Sequence, residues 1–210
     1  MFDNCGIDDG EMADLLQAFV QFKDFKSIIY RQNDLQDESL EILERLLTKG
    51  IPYHLNELRI SNCHLSQQIT TQLIQAITNK SFLKSFELAN APISEENISL
   101  ITKYVMSSKH LADLDLSYND LLPQKMDLFL RGIHGNKKLQ KLNIAHNNLI
   151  EGFSGNNLKM VAETELKVCD HLFTMLRTNR KLIHLDLTAT NLSEKAILHI
   201  LPAVKKAKNL

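Results

Sequence analysis

An α/β solenoid bent into a horseshoe, with a parallel β-sheet on its concave face and α-helices on its convex face, is the fold class the sequence predicts. Three observations carry it. The stretch 111–121, LADLDLSYNDL, reads L-x-x-L-x-L-x-x-N-x-L. Leu111, Leu114 and Leu116 alternate like a short strand with one buried face, and Leu121 returns to the core. Asn119 falls where the chain must turn, and its amide can bond backbone groups left unpaired there. The same pattern recurs in phase along the chain. Between its copies lie stretches with helical periodicity.

Taken in order, six copies begin at Phe25, Leu55, Leu83, Leu111, Leu139 and Leu182, at steps of 30, 28, 28, 28 and 43 residues. The last step is 28 plus an insertion of 15, placed at 150–165, where IEGFSGNN reads as a loop. That loop is either a tolerated surface insertion or a contact loop carrying Phe153. The turn positions are Asn33, Cys63, Ala91, Asn119, Asn147 and Thr190, and the return position of the first copy is Leu35. Stepping back 28 from Tyr30, Asn33 and Leu35 lands on Phe2, Cys5 and Ile7, and stepping forward 28 from Leu182 lands on Leu210. The chain is thus expected to form one solenoid over 1–210, of about six to seven repeats. No polar cap is legible at either end, so a segment of a longer array is the expectation.

Helices are predicted over 11–24 (with Leu16 and Val20 inward), 37–49, 66–79, 94–107, 123–136 and 193–208, and from near 158 after the insertion. Each carries an apolar stripe at i, i+3/i+4, i+7. Ser66, Ser94 and Ser193 stand as natural N-caps, and Pro123 near a helix start loses only an N–H that would be free anyway. A helix is about 10 Å wide and strands lie about 4.8 Å apart, so a stack of strand–helix units must curve, strands inside.

Composition bounds the function. A formal net charge of −1 gives no general attraction to nucleic acid or anionic lipid. No apolar run approaches the roughly 18 residues that span a bilayer, and the acidic start MFDNCGIDDGE has no secretory core. Cys5, Cys63 and Cys169 form no CxxC and no paired framework, which points to a reducing, cytoplasmic compartment with cysteines packed as turn or core residues. There is no phosphate-cradling glycine loop and no HExxH. His146 and His184 share a face in adjacent repeats, but no Cys stands at either strand position. The expectation is therefore no catalytic site, no cofactor, no metal and no enzyme.

The 28-residue period, the helical second half of each unit and the mixed Asn/Cys turn position resemble the ribonuclease-inhibitor-like class of leucine-rich-repeat proteins. Cys5, Asn33, Cys63, Asn119 and Asn147 match its Asn/Cys site, whereas Ala91 and Thr190 depart from it and imply weaker turn bonding in those two repeats. Its members include ribonuclease inhibitor, the Ran GTPase activator, tropomodulin's actin-binding domain, NOD-like receptors, bacterial effectors and axonemal subunits. The resemblance implies a non-enzymatic scaffold or structural subunit of an intracellular assembly, in cytoskeletal or ciliary settings among others. It also leaves open a Ran-GTPase-activator-type module acting on a small GTPase, or a ligand-sensing repeat domain.

The informative positions are those alternating outward onto the concave sheet. Arg31 and Arg59 lie toward its start, Glu87, Asp113 and Asp115 in the middle, and Asn143, His184 and Asp186 beyond, with Tyr118 and His146 at the rim after the strand. Ser61, Ala89, Ser117 and Ala145 fall in the same polar columns. These columns read either as an ordinary wetted face or as the binding site of another protein with a basic patch, anchored on the amphipathic rings.

Overall fold

The computed structural model describes all residues except 20, 22–24, 34–35, 50–53, 79–82, 150–157 and 208, and describes only the backbone of 37, 158–162 and 164. Val20, Leu35 and the loop bearing Phe153, which the sequence assigned roles, lie outside the described residues. Seven strands alternate with seven helices: β1 (Phe2–Asp3), α1 (Asp9–Phe19), β2 (Ser27–Arg31), α2 (Asp37–Lys49), β3 (Glu57–Ser61), α3 (Gln67–Thr78), β4 (Ser85–Ala89), α4 (Glu95–Ser107), β5 (Asp113–Asp115), α5 (Pro123–Ile133), β6 (Lys141–Asn143), α6 (Leu158–Thr178), β7 (His184–Asp186) and α7 (Glu194–Val204). All strands are parallel and ordered as in the chain, and each helix packs on its neighbours in sequence. The fold is a leucine-rich-repeat solenoid, with one coil per strand–helix unit.

The register follows the period read from the sequence. Ile28, Leu58, Phe86, Leu114, Leu142 and Leu185 stand side by side across the sheet. Phe2 pairs with Tyr30, as the 28-residue step requires. Leu58, Leu114 and Leu142 are wholly buried and Phe86 nearly so, while Leu185 is only partly covered. Side chains facing the helices thus interlock from coil to coil and form one continuous core.

The turns are held by the asparagine column. Asn119 donates from Nδ2 to the Leu88 carbonyl (2.7 Å) and accepts the Ala91 N–H (2.8 Å). Asn147 donates to the Leu116 carbonyl (2.8 Å) and accepts from Asn119 N–H (3.1 Å) and Leu121 N–H (3.0 Å). Each amide therefore satisfies backbone groups of the coil before it. The residue preceding each of these positions is left-handed: Asn4, Gln32, Asn62, Asn90, Tyr118, His146 and Ala189 all have φ between 48° and 59°. There the N–H of one coil donates across to the next, as Tyr118 N–H does to the Ala145 carbonyl (3.1 Å).

A second such column escaped the sequence reading. Three residues before the first leucine, Asn136 accepts from Lys138 N–H (2.7 Å) and Leu139 N–H (2.9 Å) and donates to the Val105 carbonyl (2.9 Å). Asn179 repeats this on the Leu139 carbonyl (2.8 Å), and Ser108 accepts the Leu111 N–H (3.1 Å). These side chains cap the helix-to-strand return. The expected helix caps form as well: Ser66, Ser94 and Ser193 accept from Ile69, Asn97 and Ala196 N–H at 3.2–3.3 Å.

Cys5 departs from its expected packing. It is exposed, because among the described residues no coil lies on its outer side. Its backbone N–H still finds Asn33 Oδ1 at 3.1 Å. Cys63 and Cys169 are buried.

Candidate functional site

The concave face divides into two regions of different character. Across β2 to β5 it is a web of ion pairs. Arg31 reaches over one strand to Glu87 (2.7 Å), and Arg59 contacts Glu57 (2.6 Å), Glu87 (3.4 Å) and Asp113 (3.5 Å). The Ser27 hydroxyl donates to Glu57 (2.6 Å). Glu87, expected on a wetted face, is 6% exposed. Two guanidiniums flank it and cover it, so its burial is compensated. That hydrogen bond raises the Arg31 pKa. The Ser27 hydroxyl, and then Arg59, hold Glu57 below the usual carboxylate range. Burial pushes Asp113 the other way, against the pull of Arg59 and of Lys141, its partner across the sheet.

Ser61, Ala89, Ser117 and Ala145, placed in the outward columns by the sequence, are buried as well. Their side chains are too short to reach past the flanking coils about 4.8 Å away on either side.

From β5 onward the strands shorten from five residues to three. The cause is local. Asp115, Asn143 and Asp186 turn their side-chain oxygens back onto the N–H two residues ahead, at Ser117 (2.9 Å), Ala145 (3.0 Å) and Thr188 (2.9 Å). This turn competes with the sheet ladder. Ile29, Arg59 and Glu87, at the same position in β2 to β4, do not make it, and those strands run on. The Asn143 amide also donates to Asp115 (2.8 Å). The bonds from Thr188 hold Asp186 below the usual carboxylate range.

The rim above these short strands carries the most exposed chemistry. Tyr118 and His146 stack with centroids 4.0 Å apart and planes 10° apart. Both are exposed, Tyr118 at 53%, and both sit at positive φ, 59° and 53°. For tyrosine that conformation is uncommon and costs more than for asparagine, the residue at the equivalent positions 62 and 90, whereas histidine, like asparagine, is enriched there. The structure thus brings Tyr118 and His146 together, and gathers Asp115, Asn143, His184 and Asp186 on the adjoining strands. It assigns Arg31, Arg59 and Glu87 to an internally paired region. Asn90, Asp120 and Glu95, which line the loops beside Tyr118, were not picked out from the sequence. Asn90 repeats Asn62 at the 28-residue step of the leucines, which was the available signal; Asp120 has Pro92 and Asn148 at its equivalent positions and gave none.

Among the described residues, no group of three His, Cys, Asp or Glu side chains could hold a metal ion, and no helix is long and apolar enough to cross a membrane.

Solved structures with the same architecture exist. The chain is similar to actin-binding site 2 of leiomodin-1, with a TM-score of 0.58 and 16% identity over 78% of this chain and 86% of that one. It is also similar to the C-terminal domain of tropomodulin from Caenorhabditis elegans, with a TM-score of 0.60 and 19% identity over 80% of this chain and 92% of that one. At these identities the likeness is one of fold. No family model matches the sequence, and no curated protein matches it.

Proposed function

We propose that the chain is a non-enzymatic protein-interaction domain that holds its partner along the loop rim and the short-strand half of the concave face. Tyr118, His146, Asp115, Asn143, His184 and Asp186 form the contact set. The observation that carries this reading is the exposed Tyr118–His146 stack, two amphipathic rings of which the tyrosine is kept at a backbone position where asparagine is cheaper. The 28-residue step supports placing the repeats in the ribonuclease-inhibitor-like class. A scaffold role in the cytoplasm, associated with the cytoskeleton, follows from the same reading. Actin is the first partner to test, since one of the similar structures is named as an actin-binding site.

The experiment is co-sedimentation of the purified chain with filamentous actin, repeated with a Tyr118→Asn/His146→Asn double variant. Binding that the double variant loses, with its circular dichroism unchanged, is the expected result. Absence of sedimentation removes actin as the partner. Full binding by the double variant overturns the rim as the docking surface.

A further inference from the structure

Beside the Tyr118 ring, between the strand-to-helix loops of β3, β4 and β5, lies an open hollow of about 720 Å³. Leu65, Pro92 and Ile93 give it an apolar lining. Glu95 and Asp120, both exposed, stand at its edge, and neither carboxylate has a hydrogen-bond or ion-pair partner among the described residues. The one ammonium in the lining, that of Lys125, is engaged by the Ile93 carbonyl at 2.6 Å. An exposed aromatic ring, an apolar surface for a methylene stem and two unpaired carboxylates together match one kind of side chain. An arginine carries a long apolar stem, a planar cation that lies over an aromatic face, and a fork of N–H donors that meets a carboxylate.

We propose that this hollow receives an arginine side chain presented by the protein partner, with its guanidinium over Tyr118 and paired with Asp120 or Glu95. The proposal rests on the interaction reading above and names the chemistry that reading leaves open. It also gives the ring at position 118 a use. Asparagine there would relieve the backbone, as it does at Asn62 and Asn90, but would remove the ring. An apolar occupant would fill the hollow but leave the carboxylates beside a desolvated surface.

The test is a titration of the ¹⁵N-labelled chain with the blocked tripeptide acetyl-Gly-Arg-Gly-amide, followed by amide chemical shifts. A matched peptide with citrulline in place of arginine keeps the shape and removes the charge. Saturable shifts confined to the loops around Asn90–Ile93 and Tyr118–Asp120 are expected, with the citrulline peptide binding about three- to ten-fold more weakly, the range of one cation–π contact. Tyr118→Asn should lose the response and Tyr118→Phe should keep it. Equal binding of the two peptides, shifts located elsewhere, or an undiminished response in Tyr118→Asn overturns the proposal. A partner that co-sediments equally well with wild type and Tyr118→Asn overturns the arginine site and leaves the interaction reading standing. Localised arginine binding without any sedimentation keeps the arginine site and removes actin as the partner.

Discussion

Removing the Asn147 amide should destabilise the chain far more than removing Asn33, although both occupy the turn column. Asn147 is 1% exposed. Its Oδ1 takes two backbone N–H groups and its Nδ2 serves the Leu116 carbonyl, with Ile144 and Ala145 carbonyls also in range at 3.1 and 3.3 Å. Asn147→Ala leaves two N–H donors and one carbonyl from the β5 coil buried without partners. At about 1–3 kcal/mol for each orphaned group, moderated by a water that the amide-sized hole can admit, the cost is about 3–5 kcal/mol. Asn33 makes the same kinds of bond, to Cys5 N–H (3.1 Å) and the Phe2 carbonyl (3.1 Å). Those groups belong to the outermost coil, where Cys5 is exposed and Phe2 partly so, and water can replace the lost partner. Asn33→Ala should therefore cost about 1 kcal/mol, the worth of a hydrogen bond that water can substitute. Urea unfolding followed by circular dichroism gives the two losses, and amide exchange at Asn119 and Leu121 reports the local effect. Equal losses, or exchange at those amides unchanged in Asn147→Ala, would refute the view that the column holds coils together by satisfying buried backbone.

Four further outcomes follow from other contacts. Leu114→Ala, at a wholly buried site, should cost about 2–5 kcal/mol. Asp115→Ala would be near neutral for a plain surface charge, but the side chain closes a turn on Ser117 and accepts from Asn143, so a loss of about 1–2 kcal/mol by urea unfolding is expected. Gly132→Ala would place a Cβ 2.1 Å from Thr102 Cγ2, so either the Thr102 side chain must turn and give up its bond to the Ile98 carbonyl or α4 and α5 must shift; a lowered Tm, restored in part by Thr102→Ser, is the expected result. Glu57 and Asp113 should show opposite pH dependence. Glu57 sits below its unfolded pKa, so its contribution is present above that value and disappears as pH falls through the folded pKa, and Glu57→Gln should lose stability near neutrality and little below the folded pKa. Asp113 sits above its unfolded pKa, so wild-type stability falls as pH rises from the unfolded to the folded value, and Asp113→Asn should remove that fall. Urea titrations from acid to neutral pH check both signs.

The period was legible because a solenoid repeats one solution to one packing problem. Leu58, Leu114 and Leu142 must each fill the same space between sheet and helix, so the same residue types recur and the register can be counted out before any coordinate is seen. The caps were legible for the same reason, since Ser66, Ser94 and Ser193 each precede a helix. What failed was inference about the faces of single residues. Glu87 looks solvated by alternation, yet burial depends on Arg31, 56 residues away, reaching back over a strand. No local pattern encodes that reach. Asp115 looks like a surface charge, but its own backbone two residues on is its principal partner. The second asparagine column was hidden by its mixed chemistry, Ser108 in one coil and Asn136 and Asn179 in others, which breaks a pattern searched by residue identity.

The ion-pair web is the physical reason for placing the proposed docking surface elsewhere. Arg31, Arg59, Glu57, Glu87 and Asp113 satisfy one another across β2 to β5, so a ligand docking there must break bonds already made before forming its own. Such a swap returns little net free energy, because the Glu87 carboxylate is already desolvated and would be left uncompensated if its arginines turned away. Along the loops after β4 and from β5 onward the balance differs. Asp115, Asn143 and Asp186 have their turn bonds met by the chain itself, the carboxylates of Glu95 and Asp120 are unpaired among the described residues, and the Tyr118–His146 stack is exposed without being loose. A surface binds well when its groups are held in place yet have something left to give. By that criterion the web stiffens the sheet, and the rim that begins at Tyr118 is the surface the proposed function requires.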